Sequence, residues 1–520
     1  MLAVKLIRAI FHAMAGSKWA TTKDILAAGI RPWKESTSGV VLGWHPNKKS
    51  LMVSDDDKNI LLVAPSRSGK GVSTVIPTAL TWKESFFIFD PMSEAFALSA
   101  NYRQKKLGQK IMQFRPSGKD ASAVSWNPLA EVRVQTKFEY EDAYAISRLL
   151  ILPMRSQQVM DSETFKDATE LLTAGILHLL YKHHREGRML PSLFDVSELF
   201  LTKEIGNVLE SFQTYQHLDH EEAIQERLFQ KLYGEYFHDL HSGEVFGDPP
   251  ISTIDATLNA VQGKGDIAEG SVLDGHSPYA ALYVHPKVKE TGARMMKRRA
   301  DNQASIVAVI NSALESYRQP EIRVNMEQSD FKLANLLDRK QKISFYFSID
   351  VCLVEQMLPI AALFTSMLMR EAVIQSDATK TTHPHLLMML DEFAQLRHLP
   401  YLEEFLAISN KAGTKVCIVA HDIREIDKLY SAENTILHNC QVQIYFTPVR
   451  EDTRTSTRIA ELLAFQNNCP NMKPEKICRM SRHKEIVFVD GCTPILGRKF
   501  QYYRYKHFIK CIKESPEING

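Results

Sequence analysis

The stretch Asn59-Ile60-Leu61-Leu62-Val63-Ala64-Pro65-Ser66-Arg67-Ser68-Gly69-Lys70-Gly71-Val72 decides the fold. Its first five residues are an apolar run typical of a buried strand, and a helical pattern follows over Val72–Trp82. In a strand–loop–helix unit of this kind, backbone N–H groups and the helix N-terminus converge on an anion. The sequence therefore predicts a phosphate-binding loop whose nucleotide contacts come from Pro65, Ser66, Arg67, Ser68, Gly69, Lys70, Gly71 and Val72.

The loop departs twice from the usual pattern G-x-x-x-x-G-K-[ST]. Ala64 replaces the first glycine, and Gly71 replaces the hydroxyl residue that normally touches Mg²⁺. Gly69 permits a backbone geometry that a larger residue would strain, and Lys70 supplies a positive charge to the β- and γ-phosphates. Pro77 lies about two turns into the following helix, so we expect a kink or a short helix there.

A second chemical element lies about 320 residues downstream. Leu386–Leu390 is a buried-strand pattern that ends in two carboxylates. Asp391 at the strand end can hold Mg²⁺, and Glu392 can orient and deprotonate the attacking water, so both are predicted to be catalytic together with Lys70. The alternative is an apolar strand that meets an acidic turn.

Two further residues follow predicted strands. Asp90 ends the strand Ser85–Phe89 and is predicted to support the metal or the Lys70 ammonium; a structural turn at Asp90-Pro91 is the alternative. His421 follows the strand Val416–Ala420, where a polar group can sense the γ-phosphate, and is predicted to be catalytic. An ordinary polar residue at a strand end is the alternative for His421.

Three regions separate by pattern. Residues 1–130 carry the phosphate loop, and residues 131–318 are helical in pattern, with a helix predicted over Phe165–His184. Residues 319–520 return to short β-like runs separated by helices, at Ile343–Phe347, Leu386–Leu390, Val416–Ala420 and Val442–Phe446. Alternation of this kind favours a mainly parallel sheet covered by helices. We predict an α/β domain of the P-loop NTPase class made from the first and third regions, interrupted by an inserted all-α domain.

Composition sets limits on the partners and on the compartment. The formal net charge of +2 on 520 residues means that any DNA contact must come from a local patch. Seven cysteines without a Cys-x-x-Cys pair suggest neither zinc nor a disulfide framework. No stretch has the pattern of a membrane-spanning helix. Met1–Ala15 has helical apolar spacing, which fits either a helix on a membrane surface or an ordinary packed helix.

Clusters of basic residues offer two weaker hypotheses. Arg424, Arg450 and Arg454 are candidates for an arginine finger that acts across a subunit interface, against the alternative of solvated surface arginines. A basic cluster late in the helical region could touch phosphates or an acidic segment, or could be a solvated helix face. The cluster consists of Lys287, Lys289, Arg294, Lys297, Arg298 and Arg299.

With these residues in place, the chain resembles type IV secretion coupling proteins of the TraG/VirD type. The resemblance runs from about Trp19 to Tyr503 and includes the loop with its glycine after Lys70. The other matching segments are Asp90-Pro91 with Glu94, Tyr102-Arg103, Trp126-Asn127-Pro128-Leu129, Leu390-Asp391-Glu392-Phe393, and Asn439-Cys440 with Phe446 and Pro448.

The resemblance implies a RecA-like motor that uses ATP and Mg²⁺ and assembles as a homo-hexamer at the cytoplasmic face of a bacterial inner membrane. It implies delivery of relaxase–DNA complexes or effector proteins to the channel components of a type IV secretion system. The inserted helical domain would recognise the cargo. Family members usually begin with a transmembrane anchor, whereas this sequence starts almost where their cytosolic part begins. We expect peripheral membrane association through partners and the Met1–Ala15 helix; the alternative is an anchor that is encoded elsewhere or was removed.

Two departures from the family pattern keep other functions open. Met92-Ser93 stands where Lys-Gly is common, and His421 stands where Gln is usual, so that its charge would vary with pH. A cargo receptor or scaffold that binds nucleotide with little hydrolysis is one alternative. A septal-type DNA translocase, which shares the motor core, is the other.

Overall fold

The computed structural model describes residues 19–34, 37–47, 50–118, 123–157, 162–218, 284–376, 383–467 and 472–513. The chain divides into two compact units, which are described separately. The first comprises residues 1–125 and 330–520, and the second comprises residues 126–329. The predicted N-terminal helix Met1–Ala15 lies outside the described residues.

Apolar and aromatic runs of the first unit form one sheet of twelve strands. In chain order these are β1 (Ile30–Pro32), β2 (Val40–Trp44), β3 (Leu51–Ser54), β4 (Ile60–Val63), β5 (Ser85–Phe89), β6 (Lys110–Phe114), β7 (Ile343–Phe347), β8 (Leu386–Leu390), β9 (Thr414–Ala420), β10 (Val442–Phe446), β11 (Lys484–Val489) and β12 (Ile495–Arg498).

The strands lie in the order β1-β3-β2-β12-β11-β10-β4-β9-β8-β5-β7-β6. From β10 to β6 all neighbours are parallel, and from β10 to β1 all are antiparallel. The strands predicted at β4, β5, β7, β8, β9 and β10 are confirmed. The central ones are buried on both faces, as parallel strands between helix layers should be.

The helices of the described residues, in chain order, are α1 (Thr22–Ala27), α2 (Ile76–Thr81), α3 (Glu94–Leu107), α4 (Glu139–Gln157), α5 (Ser162–Arg185), α6 (Leu193–Thr202), α7 (Ile205–Thr214), α8 (Pro286–Met296), α9 (Ala300–Ala313), α10 (Pro320–Met326), α11 (Val354–Ile374), α12 (Leu402–Ile408), α13 (Ile423–Tyr430), α14 (Ile436–Asn439), α15 (Thr453–Asn467), α16 (Pro474–Cys478) and α17 (Lys506–Lys513). Short 3₁₀ turns occur at Pro128–Glu131, Glu315–Arg318, Leu333–Leu337, Val351–Leu353, Phe393–Leu396 and Tyr502–Arg504.

Among the described residues, α11 is the one helix long and apolar enough to cross a membrane. Two thirds of its most apolar window is buried inside the protein. Phe364 of α11 stacks on Phe345 of β7, with 4.9 Å between ring centroids, and also faces Phe87 of β5. These contacts are those of a helix that covers the sheet.

The α-helix at Pro77 is short, which is one of the two outcomes expected: α2 has six residues. Residues Gly71–Val75 form a π-helical turn, in which the Ile76 N–H donates to the Gly71 carbonyl, and α2 continues directly from it. Pro77 thus lies in the first turn of an α-helix, where its missing N–H is tolerated. The wider turn, rather than a kink, accommodates the proline.

The described residues of the second unit contain helices and no strand. The helix predicted over Phe165–His184 is confirmed as part of α5. A capping box begins α6: the Ser192 hydroxyl accepts a hydrogen bond from the Asp195 N–H, and the Asp195 carboxylate accepts one from the Ser192 N–H.

A buried chain of histidines crosses the core of the second unit. His178 Nδ1 lies 2.9 Å from His217 Nε2, the His285 N–H donates to His217 Nδ1, and His285 Nε2 lies 2.8 Å from Glu139 Oε1. Tyr181 donates its hydroxyl to the other Glu139 oxygen. Burial lowers the pKa of His178 to about 3 and that of His217 to about 2, so both rings are neutral partners at neutral pH.

Candidate functional site

The phosphate loop begins where β4 ends in the middle of the sheet. The Ala64 N–H donates to the Ala420 carbonyl of β9, so the loop starts with its backbone still hydrogen-bonded to the neighbouring strand. Arg67 (φ 57°) and Gly69 (φ 89°) adopt positive φ, and Lys70 stands at the start of the helical turns. A non-glycine residue in this conformation is strained, and such strain is concentrated in loops that hold ligands.

Two hydroxyls near the loop have no hydrogen-bond partner within the described part of the chain. They are Ser68 Oγ and Thr74 Oγ1, and both atoms are buried. The Ser73 hydroxyl, in contrast, donates to the Phe500 carbonyl at 2.7 Å. A Cβ added at Gly71 would lie 3.8 Å from Glu94 Oε2, an ordinary contact, so space does not exclude a side chain at position 71.

Sheet register brings three of the predicted site residues together. The pairs Val63↔Ala420 and Leu390↔Ile418 place the carboxyl ends of β4, β9 and β8 side by side. Lys70 Nζ lies 2.7 Å from Glu392 Oε1, and His421 Nε2 lies 2.7 Å from Glu392 Oε2. Lys70 Nζ also lies 3.3 Å from His421 Nδ1. We call Lys70, Glu392 and His421 the charged triad.

One tautomer of His421 satisfies the whole triad. If Nε2 carries the proton, it donates to Glu392, and Nδ1 is left to accept from the Lys70 ammonium. The hydrogen bond with Glu392 raises the pKa of His421, while burial and the Lys70 charge oppose that rise. A proton on Nδ1 would point a second hydrogen-bond donor at the Lys70 ammonium, which is itself a donor. The neutral ring with its proton on Nε2 therefore fits this geometry.

Glu392 is held as a carboxylate. Burial alone would raise its pKa, but the hydrogen bonds from His421 and Lys70 outweigh burial and lower the pKa to about 2. Its backbone is left-handed, with φ 52°, at a residue that is not glycine. Strain of this kind persists only where neighbouring structure enforces it, and it aims the Glu392 side chain at the phosphate loop.

Asp391 and Asp90 lie beside each other at the same edge of the sheet. Phe89 of β5 pairs with Leu390 of β8, so the two aspartates are the next residues of adjacent parallel strands. Burial raises the pKa of each carboxyl to about 6. Asp90 Oδ2 accepts the Phe96 N–H at 2.8 Å, so it also caps the first turn of α3.

The donors at this edge suit a divalent cation. The pKa of Asp391 is raised by burial and by the negative charges of Glu392 and Asp90, and it is lowered by Lys70. A bound Mg²⁺ would favour the ionised carboxylates and reverse that rise. Oxygen donors are the ligands that Mg²⁺ prefers, and it usually keeps several waters, so Asp391 with waters is a fitting partial shell.

The basic residues separate by their partners. Arg424 bonds Asp422 at 3.1 Å and Arg454 bonds Asp427 at 2.9 Å, whereas Arg450 is exposed after β10. In the basic cluster of the second unit, Arg294 pairs with Glu170 of α5. Arg298 pairs there with Asp167 and Glu163, and Lys287 pairs with Glu290, so three cluster members are engaged in internal ion pairs.

One contact with the loop had no signal in the sequence. Lys499, which follows β12, donates from Nζ to the Ser68 carbonyl at 3.1 Å. The two residues are 431 positions apart, and Lys499 belongs to no recognisable motif. Only the pairing of β12 with β11 and β2 brings it beside the phosphate loop.

Fold and site together define the class of protein. A mainly parallel sheet with a phosphate loop after β4 and a carboxylate pair after β8 is a RecA-like P-loop NTPase domain, here interrupted by an all-α unit. Residues 18–464 and 466–519 match the family described as Type IV secretory system Conjugative DNA transfer. The chain belongs to this family, which contains the type IV coupling proteins, and the resemblance found in the sequence is confirmed.

Relatives of this chain include conjugal transfer proteins named TraG and proteins named VirD4. Conjugal transfer protein TraG from Escherichia coli is 27% identical over 94% of this chain and 76% of its own length. A second TraG from Escherichia coli is 28% identical over 84% of this chain and 62% of its own length. Protein VirD4 from Agrobacterium fabrum is 23% identical over 94% of this chain and 65% of its own length. The chain thus spans about two thirds of several relatives.

Solved structures confirm the predicted fold class. Plasmid coupling protein TrwB in complex with ADP and Mg²⁺ superposes with a TM-score of 0.58 at 13% identity, over 93% of each chain. TrwB in complex with the ATP analogue ADPNP gives a TM-score of 0.58 at 13% identity, over 90% of each chain. At this identity the likeness concerns the fold.

Proposed function

We propose that this coupling protein binds and hydrolyses ATP and uses the energy to deliver conjugative cargo. The charged triad carries the proposal, because it joins the phosphate loop to a carboxylate on a separate strand within hydrogen-bond distance. The nucleotide complexes known for TrwB support the same use of this fold.

Each residue of the site has a distinct proposed role. The backbone N–H groups of residues 66–72 bind the phosphates, and the Lys70 ammonium neutralises their charge. Asp391 would hold Mg²⁺, and the adjacent Asp90 would support it. When bound, the ion polarises the phosphoryl oxygens and stabilises the charge that develops on them. Glu392 accepts a proton from the attacking water, and His421 donates a hydrogen bond that fixes the Glu392 carboxylate.

The pKa of Glu392 indicates how the triad is used. A carboxylate with a pKa of about 2 is a poor proton acceptor at neutral pH. If Lys70 turns to the phosphates, Glu392 loses one of the two partners that lower its pKa, while burial still raises it. Glu392 therefore becomes a stronger base when Lys70 has left it for the phosphates.

The partners follow from the family. TraG and VirD4 relatives support relaxase–DNA complexes or effector proteins as cargo, a type IV secretion channel as acceptor, and a place at the cytoplasmic face of a bacterial inner membrane. We further propose a homo-hexamer, as RecA-like motors form, with exposed Arg450 available to a neighbouring subunit. The all-α region predicted at 131–318 is proposed as the cargo-recognition domain.

A second function, a cargo receptor that binds nucleotide with little hydrolysis, is favoured by one observation. Glu392 is locked between Lys70 and His421, so a site that never releases it would bind ATP without activating water. The two functions share a fold and differ in turnover.

Turnover of Mg·ATP by the whole chain, with and without single-stranded DNA or cargo, tests the proposal. We expect Lys70→Ala to lose nucleotide binding and Glu392→Gln to bind nucleotide but lose turnover by about a hundredfold or more. Lys105→Ala, which removes an exposed lysine of α3, should behave as wild type. If wild type with DNA or cargo hydrolyses no more ATP than Lys70→Ala and Glu392→Gln, the motor function is refuted and the receptor function remains.

A further inference from the structure

The chain segment after β12, Lys499 and Phe500, is hydrogen-bonded to the phosphate loop region at two points. Lys499 Nζ donates to the Ser68 carbonyl at 3.1 Å, within the loop. The Phe500 carbonyl accepts the Ser73 hydroxyl at 2.7 Å, in the π-helical turn that follows the loop. These contacts lie on both sides of Gly69 and Lys70, the residues at the centre of the loop.

Packing and hydrogen bonds fix Lys499 and Phe500 in place. Phe500 is fully buried and packs on Phe508 and Tyr505, at ring-centroid distances of 5.0 and 4.9 Å. The Lys499 N–H donates to the His483 carbonyl, and its ammonium lies 4.0 Å from the centroid of the Phe446 ring. Cation–π attraction of this kind fixes the direction of the Lys499 side chain.

The Ser68–Gly69 peptide is the part of the loop most able to rotate. Gly69 has φ 89°, a region that glycine enters freely, and a Cβ there would meet no atom within 4 Å. Because a trans peptide is planar, its C=O and N–H point in opposite directions. Holding the Ser68 carbonyl at Lys499 therefore turns the Gly69 N–H away from Lys499.

We propose that Lys499 is a positioning residue of the phosphate loop, which fixes the Ser68–Gly69 peptide so that the Gly69 N–H faces the phosphates. The inference rests on the proposed nucleotide-binding function and assigns part of it to the C-terminal segment. Ser73 and the Phe500 carbonyl hold the other side of the loop. Without the Lys499 ammonium, the peptide flips between two orientations and only one of them binds phosphate.

The electrostatics of Lys499 provide a readout independent of packing. Burial lowers the pKa of its ammonium to about 8; the nearby charges are Glu485, which raises it, and Arg482, which lowers it. Glu485 is fully buried, and burial raises its own pKa well above the usual range, while the Lys499 charge lowers it. As the pH rises through about 8, Lys499 loses its proton and the hydrogen bond to Ser68 weakens.

The test is a titration of the whole chain with a fluorescent ATP analogue and Mg²⁺, well below the thermal midpoint. We expect Lys499→Met to weaken binding about tenfold, which equals 1.4 kcal/mol, and Lys499→Arg to restore it to near the wild-type value. Wild type should also lose affinity between pH 7 and pH 9, while Lys499→Arg should not. Arg498→Met, which removes the neighbouring exposed cation, is the matched control.

The outcomes separate the inference from the proposed function. If Lys70→Ala binds the analogue as tightly as wild type, nucleotide binding at this loop is refuted. If binding depends on Lys70 but Lys499→Met binds as wild type, or only its thermal midpoint falls, the positioning role is refuted alone. Should Lys499→Met fail to fold, equal pH profiles of wild type and Lys499→Arg would overturn the inference.

Discussion

Replacement of Glu392 by glutamine should strengthen ATP binding and weaken ATP hydrolysis. In the charged triad, the Lys70 ammonium lies 2.7 Å from Glu392, and the side chains are only 12% and 23% exposed. Phosphate must compete with Glu392 for the same ammonium. Glutamine keeps the shape of the side chain but removes the negative charge, so Lys70 is released to the phosphates.

The magnitude follows from the pKa of Glu392. A value of about 2 against the ordinary 4.5 means that the folded site stabilises the carboxylate by about 3 kcal/mol. His421 and Lys70 supply this net stabilisation against the opposing effect of burial. An even division gives the Lys70 pair at least about 1.5 kcal/mol, or about tenfold in a dissociation constant. We expect Glu392→Gln to bind Mg·ATP about tenfold more tightly and to lose turnover by at least about a hundredfold.

Isothermal titration calorimetry with Mg·ATP measures the affinity, and phosphate release measures turnover. Glu404→Gln is the matched control, because it removes one negative charge from an exposed position of α12. If Glu392→Gln binds ATP no more tightly than wild type while Lys70→Ala loses binding, Glu392 does not compete for Lys70. The explanation offered for its low pKa would then be wrong.

Three further changes test the electrostatics of the first unit. Burial raises the pKa of Asp391 to about 6, so the free energy of unfolding falls as the pH rises from about 4 to 6. In thermal unfolding without Mg²⁺, Asp391→Asn should therefore stabilise the protein by about 1–3 kcal/mol at pH 8 and by less at pH 5. Arg103 is fully buried and donates to three carbonyl groups and to Ser344, so Arg103→Met should lower the free energy of unfolding in urea by about 3 kcal/mol; a loss under about 1 kcal/mol would contradict its role. Burial would raise the pKa of Asp56, but the buried Lys415 ammonium lowers it to about 2. This ion pair stabilises the fold above about pH 4, and the stabilisation is lost as the pH falls toward 2. Lys415→Met should therefore flatten the acid dependence of the thermal midpoint.

The sequence predicted the parallel centre of the sheet because its signals are local. Strands buried on both faces are continuous apolar runs, so β4, β5, β7, β8, β9 and β10 could be located from their own residues. The antiparallel strands β1, β2, β3 and β12 were not predicted. They are only three to five residues long, so each gives little periodic signal in a single sequence. The pairing of β12 with β2 is in addition long-range and cannot be deduced from local pattern.

The chemical roles divide in the same way. Lys70, Asp391, Glu392 and His421 were predicted because each follows an apolar run, and parallel strands bring their carboxyl ends to one edge. The sequence could not order β4, β9 and β8 or show that Glu392 joins Lys70 to His421, because strand order depends on long-range pairing.

The phosphate loop was thus determined by the sequence in its position and in its chemistry. What surrounds it was decided by the tertiary structure. The hydrogen bonds from Lys499 to Ser68 and from Ser73 to Phe500 join residues 431 and 427 positions apart. Local propensity cannot encode such contacts, because they form only when the sheet has brought the end of the chain back to its beginning.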